Sequence, residues 1–171
     1  MSFELRMKIK NLRKNFFINF FIILIIFFTD RLSKIYIIYL DKQNFNSEIF
    51  SSKFLNIQLF WNDGIAFGLF SFNDKVLYNM LTIVILIIIS IIVYLTSKSF
   101  GLKKYSLLMI LGGALGNFFD RLFNKSVPDF IDLHIGDFHW FIFNIADIFI
   151  TIGVILMILL EFIDNNKEKK L

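Results

Sequence analysis

From Val76 to Ser97 the chain runs without a charged side chain, through LTIVILIIISIIVYL at its centre. A helix rises 1.5 Å per residue, so about 20 apolar residues span a hydrocarbon layer about 30 Å thick. No water reaches backbone groups in that layer, and a segment of this kind must satisfy them internally as a helix. Three further segments have the length: about Asn15 to Tyr39, interrupted by Asp30, Arg31 and Lys34; about Tyr105 to Leu122; and about Trp140 to Phe162, with Asp147 inside it. Hydrophobic residues make up 57% of the 171 and the mean hydropathy is +0.68, too apolar for a soluble domain of this length. The expected fold class is a membrane protein, mostly α, read as one domain over residues 1–171 with four transmembrane helices.

Basic residues set the orientation. Arg6, Lys8, Lys10, Arg13 and Lys14 precede the first span, Lys98, Lys103 and Lys104 lie between the second and third, and Lys167, Lys169 and Lys170 close the chain. The other two connections mix acids and bases. By the positive-inside rule both termini are cytoplasmic. A basic start followed by the apolar run Phe16 to Phe28 also has the outline of a signal peptide. No small-x-small cleavage site follows, however, and the apolar pattern resumes at Ile35.

Residues 41–74 then form an extracytoplasmic region. Its stretch FLNIQLFWNDGIAFGLF alternates at first and contains an Asn-Asp-Gly turn signal, which predicts a small β-sheet lying at the membrane surface after the first helix.

Several functional classes drop out. Without cysteine there are no disulfides, thiolate nucleophiles or cysteine metal sites. His134 and His139 stand five apart with no His-Glu-x-x-His arrangement, which argues against a zinc protease. Chemistry carried by paired carboxylates would need no metal and no cofactor, and none is expected. The net charge of +4 is spent on membrane topology, and no nucleic-acid partner is expected.

Ionisable groups within spans cost at least about 2.5 kcal/mol each and mark function. Counted from the cytoplasmic edge, Asp30 lies roughly 21 Å up, Asp120 roughly 22 Å and Asp147 roughly 20 Å. All three fall in the outer leaflet, as one shared site would require. Each has a plainer reading beside it. Asp30 and Lys34 form an i,i+4 ion pair in the favourable order. Arg121 can snorkel toward headgroups. Asn144 and Asp147 can cap a helix that begins at Asn144; Phe141 and Phe143 instead argue for an earlier start, with Asn144 and Asp147 on one helical face. Gly112 and Gly116 would let a neighbour approach the third helix and bring Asn117 and Arg121 near Asp147. The connection before the fourth span adds Asp129, behind Pro128, and Asp132. Physical reasoning alone leaves Asp120, Asp129 and Asp132 open as partners of Asp147.

Together the motifs resemble lipoprotein signal peptidase, the type II signal peptidase family of bacteria. Five blocks carry the resemblance in the family's order: DRLSK from Asp30, WNDGIAF from Trp61, GGALGNFFDR from Gly112, VPDFI from Val127 and FNIAD from Phe143. The resemblance implies an intramembrane aspartic endopeptidase with catalytic acids Asp129 and Asp147 near the outer face of the bacterial cytoplasmic membrane. It implies that Asp30, Lys34, Asn62, Gly64, Asn117, Asp120, Arg121, Asn144 and Ala146 frame the pocket. The implied substrate is a prolipoprotein whose lipobox cysteine carries diacylglycerol, cleaved just before that cysteine. Membrane lipids and cyclic peptide antibiotic inhibitors are the other implied partners, with Trp61 or Phe67 touching lipid. Two positions depart from the family pattern: Pro128, where a second valine is common, and Ile65, where alanine is usual.

Two rivals remain at this stage. A small ion- or proton-coupled transporter would relay charge through Asp30, Asp120 and Asp147, but the cytoplasmic half of each span is nearly unbroken Ile, Leu and Phe. A non-catalytic membrane scaffold would not need the acids.

Overall fold

The computed structural model describes residues 3–43, 48–64 and 75–168. In chain order the elements are α1 (Phe3–Gln43), β1 (Phe50–Ser51), β2 (Leu55–Asn62), α2 (Lys75–Lys98), α3 (Gly101–Asn124), β3 (Val127–Ile135), β4 (Phe138–Phe143) and α4 (Ile145–Glu168). Among these residues, four helices are long and apolar enough to cross a membrane, over Phe16–Gln43, Tyr78–Lys98, Gly101–Asn124 and Ile145–Asp164.

The third helix is the hub. Half of its spanning segment is buried, against 11% for each of the others, and α1, α2 and α4 all pack on it. Lipid is as apolar as leucine, so helices in a membrane associate through close packing and polar contacts rather than through hydrophobic burial. The sequence meets that requirement with glycine. A Cβ at Gly112 would lie 2.8 Å from Cβ of Ile26 on α1, and one at Gly113 would lie 2.5 Å from the Ala146 carbonyl oxygen on α4. Gly153 on α4 does the same in return, with Ser106 O at 2.7 Å. The outward faces keep Phe16, Phe21, Ile83, Ile87, Leu159 and Phe162 exposed, as a lipid-facing surface does.

The four strands form one antiparallel sheet in the order β1-β2-β3-β4, at the end of the bundle where α1 and α3 finish and α4 starts. Only β1 and β2 come from the region after the first helix. The central pairing joins β2 to β3, with Phe60 opposite Asp129 and Asn62 opposite Val127. Pro128 suits this segment because it biases Val127 toward extended backbone. Gly136, at φ +59°, and Asp137 make the two-residue turn into β4.

This corrects the expected start of the fourth span. Residues 140–143 belong to β4, and α4 begins at Ile145. FHWFIF is apolar enough to count toward a span, but a run of aromatic and β-branched residues behind a tight turn favours strand. Asn144 then stops the strand and caps the helix. The sheet and the β1–β2 bend expose Phe54, Trp61, Ile135, Phe138 and Trp140, aromatic-rich surface of the kind found at membrane interfaces. Ile65 and Phe67 lie outside the described residues.

Candidate active site

Gly116 is where packing becomes polar. A Cβ there would sit 2.5 Å from Asp30 Oδ2, so only glycine lets this carboxylate lie against α3. Asp30 and Lys34 on α1 and Asp120 on α3 are fully buried. Lys34 Nζ donates to Asp30 Oδ2 at 2.8 Å, to Asp120 Oδ2 at 2.8 Å and to Asn117 Oδ1 at 2.7 Å. That exhausts the three donors of an ammonium. Arg31 completes the cluster, donating to Asp120 Oδ1 at 2.6 Å with its guanidinium over the Phe119 ring. Two cations and two carboxylates leave the cluster neutral, and the other Asp30 oxygen accepts the Ala146 backbone N–H at 3.0 Å. The cluster thereby ties α1 and α3 to the first turn of α4.

Three asparagines relay this order to two further acids, and each amide has its orientation fixed from behind. The Lys34 ammonium can only donate, so Asn117 must turn its oxygen to Lys34 and its NH2 to Asp147 Oδ1, 2.8 Å away. Asn62 accepts the Gly64 backbone N–H on its oxygen at 3.0 Å, which points its NH2 at Asp129 Oδ2 at 2.9 Å. Asn144 accepts the Asp147 backbone N–H at 3.2 Å and donates its NH2 to Asp129 Oδ1 at 2.6 Å. Asp147 Oδ2 returns the cap by accepting the Asn144 backbone N–H at 3.1 Å. This is a reciprocal capping box, worth about 1 kcal/mol to the helix start.

Every oxygen of Asp129 and Asp147 thus accepts one directed N–H and keeps lone-pair capacity for a ligand. Both acids line one cleft of about 270 Å³, with Asn62, Asn117 and Arg121 as polar walls and Phe141, Phe143 and Ile150 as apolar ones. Asp129 is 4% exposed. Burial above all, and then the Asp147 charge, push its carboxyl up from 3.8 to about 6, against the lowering pull of Asn62, Asn144 and Lys34. The Asp147 charge thus adds to the cost of ionising Asp129.

The structure separates acids that sequence physics left equivalent. Asp120 is consumed in the ion cluster. Asp132 is bonded to His139 at 2.8 Å and lies three residues beyond Asp129, on the other face of a strand that alternates every residue. Asp129 alone of the three shares the cleft with Asp147. Arg121 does not snorkel: it is buried, donates to the Gly64 carbonyl and lines the cleft. Asn144 and Asp147 sit at the helix cap rather than on a face of a helix already under way. Ala146 is fully buried and contributes its backbone N–H. Three contributors escaped the sequence reading: Arg31 as a cluster cation, Asn124, which donates to Asp120 at 3.0 Å, and Tyr78, whose hydroxyl holds the Arg121 carbonyl at 2.8 Å. Asn124 lies four residues beyond Asp120 on the same helix, a spacing that would have found it.

Comparison with known proteins agrees with this architecture. The family model for signal peptidase (SPase) II matches residues 22–163. The lipoprotein signal peptidase of Pelagibacter ubique is 50% identical over 155 residues, 91% of this chain and 93% of its own. That of Anaplasma phagocytophilum is 42% identical over 135 residues, 77% of this chain and 83% of its own. A bacterial membrane enzyme solved by the in meso method at 2.3 Å resolution superposes with a TM-score of 0.71 at 31% identity, over 87% of this chain and 90% of that one. The matched region runs from α1 into α4 and contains the ion cluster, all three asparagines and both cleft acids; this chain belongs to the signal peptidase II family.

Proposed function

We propose that this protein is an intramembrane aspartic endopeptidase that removes the signal peptide from diacylglyceryl-modified prolipoproteins, cleaving before the lipidated cysteine. The observation that carries this reading is that Asp129 and Asp147 line one cleft, each with both oxygens fixed by N–H donors. Asp129, raised toward neutrality, holds the proton, and Asp147 serves as the base. Asp147 takes a proton from a water molecule, whose oxygen attacks the scissile carbonyl while the Asp129 proton passes to the carbonyl oxygen. Collapse of the tetrahedral intermediate returns a proton to the leaving amine. The reaction needs no cofactor.

The other fixed groups have matching tasks. Asn62, Asn117 and Asn144 hold the carboxyl planes, while Asp30, Lys34, Asp120 and Arg31 form the rigid base on which Asn117 is oriented. Arg121 anchors the Gly64 end of β2 beside the cleft. Phe141, Phe143 and Ile150 give the cleft an apolar side suited to a signal helix and its neighbouring lipid chain. Trp61, half exposed on the sheet, suits contact with lipid. With both termini cytoplasmic by the distribution of basic residues, the cleft opens toward the outer face of the bacterial cytoplasmic membrane. A cyclic peptide antibiotic acting on this enzyme would occupy the same cleft.

The test is incubation of the purified protein in detergent micelles with a diacylglyceryl-modified prolipoprotein and with the same preprotein lacking the lipid. The proposal predicts release of the signal peptide from the modified substrate. Failure to cleave it, or equal cleavage of both forms, would overturn the assigned specificity.

A further inference from the structure

The sheet carries a second polar cluster that the cleft does not use. Asp132 and His134 are two residues apart on β3 and share a face, and His139 on β4 stands directly opposite His134 in the hairpin register. The two imidazole rings stack with centroids 5.2 Å apart. One ligand atom from each of Asp132, His134 and His139 lies within 4.8 Å of the others. Ordinary ion pairing accounts for only part of this group. Asp132 is 4% exposed, yet only its Oδ2 is engaged, by His139 Nδ1 at 2.8 Å. Asp132 Oδ1 and His134 Nδ1 are both shielded from solvent and without a hydrogen-bond partner. Two buried polar atoms left over in one cluster are costly unless something charged or polar binds there.

We propose that Asp132, His134 and His139 form a binding site for a single divalent transition-metal ion of the zinc class, on the β3–β4 hairpin and apart from the peptidase cleft. The donor set decides the class: two imidazoles and one carboxylate suit zinc and its borderline neighbours, whereas calcium and magnesium require more oxygens. Tetrahedral zinc with bonds of about 2.0–2.1 Å places its ligands about 3.4 Å apart, so the three donors close inward by about an ångström. His139 can make that movement because its side chain is half exposed at the second position of β4, close to the two-residue turn. The fourth coordination position stays open to water or an external donor. Bound there, the ion fastens the free end of the hairpin whose other end carries Asp129 and leads into Asn144.

The test uses full-length protein without a polyhistidine tag, stripped with chelator and titrated with Zn2+ by calorimetry and with Co2+ by visible absorption. The expected result is one equivalent bound per chain, with a Zn2+-dependent rise in melting temperature. His134→Ala, His139→Ala and Asp132→Asn should each weaken binding at least tenfold, with folding checked by circular dichroism. Absence of stoichiometric binding to the unaltered protein overturns the proposal without reference to any variant. Undiminished binding in both histidine variants overturns it equally. Neither readout depends on peptidase activity.

Discussion

Replacing Lys34 with methionine probes how the bundle holds its site. Methionine keeps nearly the same length and fills the same fully buried position, so the change removes a charge without opening a cavity. Asp30 Oδ2 and Asp120 Oδ2 each lose a 2.8 Å partner, and the cluster passes from neutral to one net negative charge. Breaking a buried pair in this manner costs about 3–5 kcal/mol. On the usual scale of 2–4 °C per kcal/mol for chains of this size, melting falls by about 6–20 °C. Activity has a separate reason to fall. Asn117 loses the donor that fixes its oxygen, its amide is free to flip, and a flipped amide presents oxygen to Asp147. Adding Asp30→Asn to Lys34→Met leaves Arg31 and Asp120 as a balanced pair. The double variant should therefore be more stable than the two single losses predict, by about 0.5–3 kcal/mol. Thermal unfolding in one defined detergent and cleavage of a lipidated prolipoprotein read both effects. A Lys34→Met protein melting within about 2 °C of the unaltered one, with strictly additive losses in the double variant, would refute the reasoning.

Gly116→Ala places a methyl group 2.5 Å from the Asp30 carboxylate, so either α1 is pushed from α3 or Asp30 leaves Lys34. A loss of about 1–3 kcal/mol from overpacking is expected in thermal melts, with reduced activity, whereas Gly101→Ala meets no atom within 4 Å and can act only through its positive φ. For activity, loss of the Asp129 proton predicts that kcat/KM falls with unit slope as pH rises through about 6, and a profile flat to pH 8 would count against Asp129 as proton holder. The same shift has a stability signature. Because the folded pKa lies above the ordinary 3.8, the folded chain holds a proton that the unfolded chain has lost between about pH 4 and 6. The associated stability is complete below about pH 4 and declines by about 3 kcal/mol as pH rises through 6, a slope that Asp129→Asn should remove from the melting curves.

Hydropathy made the membrane class and three of the spans readable, because long, largely apolar segments satisfy their backbone groups in lipid as helices. It misread residues 140–143 for the same reason: WFIF is apolar throughout, and a strand segment with no polar alternation leaves no period-two signal. The depth estimate did gather Asp30, Asp120 and Asp147 at one level, and Asn117 links the ion cluster to Asp147. Depth is only one coordinate, however. Telling Asp129 from Asp132 requires knowing which face of β3 each occupies, and that depends on a pairing with β2 some 70 residues earlier. Family resemblance pointed to Asp129 where spacing could not. The His134–His139 contact was hidden likewise, since a separation of five acquires meaning only once the turn at Gly136 and Asp137 sets the two residues face to face. The orientation of Asn117 was out of reach of sequence, because its donor Lys34 comes from another helix, whereas Asn62 and Asn144 are turned by backbone N–H groups two and three residues away, at Gly64 and Asp147.

The central claim is that Asp129 and Asp147 act as one catalytic pair while Asp120 serves the scaffold. Single-turnover cleavage of a diacylglyceryl-modified prolipoprotein by Asp129→Asn, Asp147→Asn and Asp120→Asn proteins, each shown to be folded, tests it most directly. The account predicts that the first two lose at least about 10²–10⁴-fold in rate, that combining them adds little further loss, and that Asp120→Asn loses stability while retaining measurable cleavage. Wild-type rates in either cleft variant would contradict the account.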